Sequence, residues 1–172
     1  SEYIMTWLGS AATTDASSSL HTVFCAECTS NFDWKSAGVY HSHRAAKMEG
    51  NITRLLACSP EQLEVYPARG LTMGQTFIHP NYANPNPHNG ESSGSYNKPA
   101  SVMHFTQEAA FDEEYILFID ADMLLRAPID PLAMGARRGV VGQRGRPNSS
   151  VRRQRLRPKH ARLHVVRARP NE

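Results

Sequence analysis

The chain has 172 residues, enough for one domain, and 40% of them are apolar, enough for a core. It contains no apolar run of the ~18 residues that a bilayer span needs. The net charge of +3 averages two unlike parts: residues 1–136 hold 7 Lys/Arg against 15 Asp/Glu, a balance of −8, and residues 137–172 hold 12 Lys/Arg against Glu172 alone, a balance of +11.

Residues 1–19 are rich in Ser, Thr and Ala and are read as a flexible N-terminal segment; they lack the basic start and apolar stretch of a signal peptide. "LHTVFCAEC" (20–28) is β-branched and aromatic, which predicts a strand. The next segment, "FDWKSAGVYHSHRAAKM", places Trp34, Ala37 and Tyr40 at helical spacing, with Asn31 or Asp33 as N-cap and Gly50 as stop. "ITRLLAC" (52–58) predicts a second strand. Ser59-Pro60-Glu61-Gln62 carries a capping residue, a proline at the first helical position and a polar residue three on, so a brief helix follows.

"TFIHP" (76–80) predicts a third strand. It leads into a long Asn/Pro/Gly/Ser loop over 81–96, a length usual for functional loops. "NKPASVMHFTQEAA" (97–110) reads as a helix with Pro99 in its first turn. "EYILFID" (114–120) is apolar without alternation, as suits a strand buried on both faces of a parallel sheet. A turn and short helical piece closed by Gly135 come next, and "GVV" (139–141) opens another strand. Strands alternating with helices predict an α/β fold with a mostly parallel sheet, whose ligands bind beyond the carboxyl ends of the strands.

Asp120-Ala121-Asp122 falls at such an end. If the segment continues extended, residues i and i+2 point the same way, and two carboxylates share one side. Hard cations such as Mg²⁺ or Mn²⁺ favour these oxygen ligands and complete their shell with water and phosphates. The chemistry suggested is departure of a nucleoside diphosphate from a sugar. Equally, aspartates collect at strand ends through turn chemistry alone.

Three cysteines, Cys25, Cys28 and Cys58, are read as small buried thiols, with one disulfide to Cys58 if the chain is lumenal. The sequons Asn51-Ile52-Thr53 and Asn148-Ser149-Ser150 permit a secretory location. His41-x-His43 is more often one exposed and one packed imidazole than a metal site.

Three stretches, "HTVFCAECTSNFDWKSAGVYHSHRAAKMEGNITRLLAC", "SYNKPASVMHF" and "EYILFIDADMLLRAPIDPLAMGARRGVV", together resemble the peptidyl serine α-galactosyltransferases and, more distantly, the hydroxyproline O-arabinosyltransferases. The resemblance runs from Leu20 to Val141. It implies a partial, Rossmann-type GT-A nucleotide-sugar domain over 20–141. The implied location is lumenal, in the Golgi or ER, with a membrane anchor in the full-length protein. The implied reaction transfers galactose from a UDP-galactose donor, with Mn²⁺ or Mg²⁺, to serines of hydroxyproline-rich glycoproteins such as extensins. By position, Asp120-Ala121-Asp122 is the family's D-x-D, with Asp122 the more direct metal ligand and Asp120 on the ribose or metal side. The first strand end, Phe24 to Glu27, is expected against the uridine; Phe24, Ala26, Glu27, Arg54, Asn97 and Lys98 join the nucleotide-sugar set, and Lys98 reaches a phosphate. Glu27 bonding loop backbone and Arg54 pairing with a carboxylate are the structural alternatives.

The resemblance ends at Val141. Residues 142–172 form an Arg/Pro-rich tail that cannot bury a core and is expected to be disordered. A frame shift or intron read-through accounts for the abrupt change and leaves the donor-side half of a domain, whose activity is then in question. The rival reading is a basic-tailed nucleic-acid-binding protein, which the lack of stacking aromatics in the tail disfavours.

Overall fold

A computed structural model of the chain describes residues 20–83, 90–134, 136 and 164–167. The expected strands form as β1 (Leu20–Glu27), β2 (Ile52–Cys58), β3 (Thr76–Pro80) and β4 (Tyr115–Asp120). The helices are α1 (Ser30–Ala45), α2 (Pro60–Glu64), α3 (Ala68–Leu71) and α4 (Asn97–Glu108). β3, β2, β1 and β4 lie side by side in that order, all parallel. The protein is an α/β fold, as its sequence implies.

β1, β2 and β4 are buried on both faces, and in β4 this explains the apolar run without alternation. Alternate residues divide between two helical layers. Leu20, Phe24, Leu117 and Ile119 pack with Val39 and Tyr40 of α1. Val23, Leu55 and Ile116 pack with Phe105 of α4. The phenyl of Phe24 meets the ring of Tyr40 edge to face at 5.3 Å.

Local signals set most boundaries. Ser59 and Gln62 form the expected reciprocal capping box at the start of α2. The cap of α1 is instead Thr29, whose hydroxyl accepts from the Phe32 N–H, and not Asn31 or Asp33. Asp33 is drawn elsewhere: it is the carboxylate partner of Arg54 at 3.1 Å. α3 was not expected; it is only one turn long and carries no apolar period. After α1 the chain reverses through Gly50 at φ 77°, where an added Cβ would stand 1.8 Å from the Leu20 carbonyl oxygen. Only glycine enters that left-handed conformation without cost.

Two features staple the sheet. Cys28, just past β1, is disulfide-bonded to Cys58 at the end of β2, with Cα atoms 5.4 Å apart; Cys25 is free and buried. At the opposite end, buried His21 bonds Thr53 at 2.8 Å and Glu113 at 3.1 Å, and Asn51 donates to Glu113 at 2.6 Å. Burial alone would raise the Glu113 carboxyl, but the hydrogen bond and charge of His21, with the Asn51 bond, hold it down to about 2, below its ordinary 4.5. A depressed carboxylate contributes stability above its unfolded pKa and loses that contribution as pH falls through the folded one. Unfolding by urea should therefore become easier from about pH 4.5 down to about 2. Glu113→Gln should flatten this acid limb, and an unchanged pH profile would show that the cluster contributes nothing.

A fifth strand, β5 (His164–Arg167), pairs antiparallel with β4, Tyr115 opposite Arg167. It lies inside the 142–172 segment read as disordered, which is thus not without structure throughout. Val165 and Val166, both β-branched, supply the strand propensity that the Arg/Pro content outweighed in the sequence reading. Gly135 and the strand expected at 139–141 lie outside the described residues, as do residues 1–19. Among the described residues no helix is long and apolar enough to cross a membrane.

Candidate active site

β1 leads to β2 on one side of the sheet, while β4 lies on its other side. The strand order therefore reverses between β1 and β4, and the chain ends leaving these two strands diverge. Such a switch point opens a crevice at the carboxyl edge of an α/β sheet. A cleft lies there, lined by Cys25 and Glu27 of β1, Asp120, Ala121 and Asp122 at the end of β4, Lys98 of α4, Phe32 and Lys35 of α1, and Gly94.

The backbone turns directly after β4. The Met123 N–H donates to the Asp120 carbonyl at 3.0 Å, so Ala121 and Asp122 occupy a turn. The extended-chain argument for two carboxylates on one side thus fails beyond Asp120, since the strand stops there. Asp120 reaches the cleft from the last position of β4, partly shielded, and Asp122 from the turn after it, exposed. Ala121 is buried between them.

Lys98 extends from the first turn of α4 and pairs with Asp120, Nζ to Oδ1 at 2.5 Å. Its partner in the structure is this carboxylate. Asn97, beside it, is 1% exposed and fully engaged. Its amide donates to Glu27 Oε1 and Asn81 Oδ1, both at 3.0 Å, and its carbonyl accepts from the Tyr82 N–H at 2.7 Å. Asn97 therefore ties the ends of β1 and β3 to the start of α4, and it bonds Glu27 from behind the cleft without lining it. Glu27 bonds a side chain, not the loop backbone. Gly94 approaches closely, since a Cβ there would stand 3.3 Å from Glu27 Oε1.

The remaining expected site residues lie elsewhere. Phe24 and Ala26 are fully buried, Phe24 against α1 and Ala26 with Leu56 and Cys58, so they form the layer beneath the cleft and not its surface. Arg54 is buried in a network of its own. It donates to Asp33 at 3.1 Å, to Thr76 at 3.2 Å and to the Gly70 carbonyl, while the Tyr66 hydroxyl also bonds Asp33. Burial and the Asp33 bond push the Tyr66 phenol up to about 12. Arg54 takes the carboxylate-pairing alternative and does not line the cleft.

Sequence reasoning missed Phe32, Lys35 and Gly94; Cys25 fell inside the Phe24–Glu27 stretch but was not singled out for the site. Cys25 was within reach, because it lies two residues before Glu27 and so shares its side of β1. Burial raises the Cys25 thiol, which keeps it neutral, and it hydrogen-bonds Ser101 at 3.1 Å. Lys35 had no local signal; its ammonium lies 4.8 Å from the centre of the Phe32 ring.

As a donor set for a hard cation, Asp120 and Asp122 offer carboxylate oxygens at a cleft edge, the ligand type that Mg²⁺ and Mn²⁺ take. Among the described residues no third His, Cys, Asp or Glu joins them in a cluster. Two carboxylates suffice for a cation whose remaining positions go to water and phosphate.

No family model matches the chain. Two curated proteins are similar to it. One, from Arabidopsis thaliana, is named peptidyl serine alpha-galactosyltransferase and is 42% identical over 120 residues, 70% of this chain and 15% of that protein. The other, of the same name and from Chlamydomonas reinhardtii, is 32% identical over 126 residues, 73% of this chain and 17% of that protein. The chain thus spans less than a fifth of the length of either relative. Among solved structures, an active-site mutant of LgtC aligns with a TM-score of 0.39 and 21% identity, covering 65% of this chain and 41% of its own.

Proposed function

We propose, taking the similarity to two proteins named peptidyl serine alpha-galactosyltransferase as premise, that this chain carries the donor-binding part of a GT-A-type glycosyltransferase domain. The observation that carries the reading is the placement of Asp120-Ala121-Asp122 and Lys98 around a cleft at the switch point between β1 and β4. The substrate proposed is UDP-galactose, and the acceptor a serine of a hydroxyproline-rich glycoprotein.

Asp122 and Asp120 would hold a divalent cation, Mn²⁺ or Mg²⁺. When bound, that cation supplies Lewis-acid stabilisation to a departing diphosphate. The protein's own groups do the rest. Lys98 adds a positive charge at the same edge, and Lys35 a second along the cleft lining. The Asn97 amide fixes Glu27, and the buried Phe24–Tyr40 contact supports the strand from below. The Cys28–Cys58 disulfide fits an oxidising compartment, in keeping with a lumenal, secretory-pathway location.

The test is a thermal melt with Mn²⁺ and UDP-galactose. Together they should raise the Tm of the wild-type chain by several degrees, about what binding at 100 times Kd produces. Asp122→Ala, exposed and outside the core, should fold normally and lose the gain. A folded wild-type sample with no shift would refute the assignment.

A further inference from the structure

The ion pair between Lys98 and Asp120 raises a question that two neighbouring carboxylates alone do not. Lys98 stands in the first turn of α4, where the helix dipole disfavours a positive charge. The 2.5 Å contact with Asp120 offsets that cost. A divalent cation on the same carboxylate would face the ammonium at short range, and two like charges a few ångströms apart at a partly shielded edge repel strongly. The lysine and the cation therefore compete for Asp120.

We infer, on the donor-site reading above, that Lys98 is a positioning residue that neutralises Asp120 while no donor is bound and exchanges this partner for a diphosphate when a divalent cation takes the carboxylate. Lys98 is 52% exposed and free to swing, whereas Asn97 and Glu27 beside it are locked by hydrogen bonds. The exchange makes cation and nucleotide mutually dependent. The cation alone must displace a lysine that gains no new partner, and the diphosphate alone meets a cleft with Glu27, Asp120 and Asp122 at its edge. Each ligand removes the obstacle to the other, and the coupling is reciprocal.

The experiment titrates the full chain calorimetrically with Mn²⁺ alone, with UDP alone, and with each in the presence of the other. For the wild type, each should bind several-fold more tightly when the other is present. Lys98→Met should tighten Mn²⁺ alone by about two- to five-fold, the scale of a partly exposed ion pair, and weaken the mutual enhancement. Lys98→Arg should restore wild-type behaviour. Lys35→Met removes a cleft cation that is not paired with Asp120, so it reports how much of any change is general charge. If Lys98→Met leaves Mn²⁺ affinity unchanged, or Lys35→Met changes it equally, the exchange is wrong while the donor-site reading stands. If the wild type binds neither ligand in any combination, the donor-site reading fails and the exchange falls with it.

Discussion

Asp33→Ala is expected to destabilise the fold by about 3–5 kcal/mol, the cost of leaving a buried charge without its partner. Arg54 is completely enclosed by β2, β3, α1 and α3, and its guanidinium reaches Asp33, Thr76 and the Gly70 carbonyl. Without Asp33 the guanidinium keeps its charge, because an arginine does not deprotonate at accessible pH. The Tyr66 hydroxyl, which bonds Asp33 and accepts from Arg54 Nη1 at 3.5 Å, is neutral and cannot replace the lost carboxylate charge. Urea denaturation followed by circular dichroism reads the effect. Replacing both residues, Asp33→Leu with Arg54→Met, should cost less than Asp33→Ala alone, because no charge is then stranded. A loss below about 1 kcal/mol for Asp33→Ala would mean that water reaches the guanidinium.

Gly50→Val is the second large effect. The residue needs φ near 77°, a region that a β-branched side chain does not enter, and its Cβ would overlap the Leu20 carbonyl, which is backbone and cannot rotate away. The junction that positions β2 beside β1 must then open, where Asn51 O accepts from the Thr22 N–H at 2.8 Å. A loss of about 3 kcal/mol or more is expected, beyond the ~1–2 kcal/mol of the left-handed conformation alone. Gly50→Ala carries the same backbone clash and should also destabilise heavily. A thermal melt of either variant near the wild-type Tm would show that the turn has an alternative path.

The sequence was informative where local chemistry decides. The doubly buried β4 announces itself as an apolar run without alternation, and Ser59-Pro60-Glu61-Gln62 carries its own capping instructions. It was uninformative where tertiary pairing decides. Asp33 has the look of a helix cap until Arg54, twenty-one residues on, claims it. Arg54 and Asn97 read as ligand-binding polar residues, yet both are buried and direct hydrogen bonds to other groups inside the protein. Within the site, Asp120, Ala121, Asp122, Glu27 and Lys98 were visible as chemistry. Their grouping came only from the family resemblance, because it depends on which strand lies next to β1, and no local pattern states that. The four-residue α3 and the edge strand β5 were missed because each is too short for periodicity to register.

The strand order has a consequence for how the molecule holds together. β1, β2 and β3 pair with near neighbours in the chain, but β1 meets β4 only across nearly the whole described sequence, Leu20 against Tyr115. Closing that long loop costs more chain entropy than any other contact in the parallel sheet. The cleft straddles this seam, with one wall on β1 and the other on β4. Its shape therefore rests on the longest-range pairing in the parallel sheet, and a lapse in β4 docking dismantles the cleft while β1, β2 and β3 keep their hydrogen bonds.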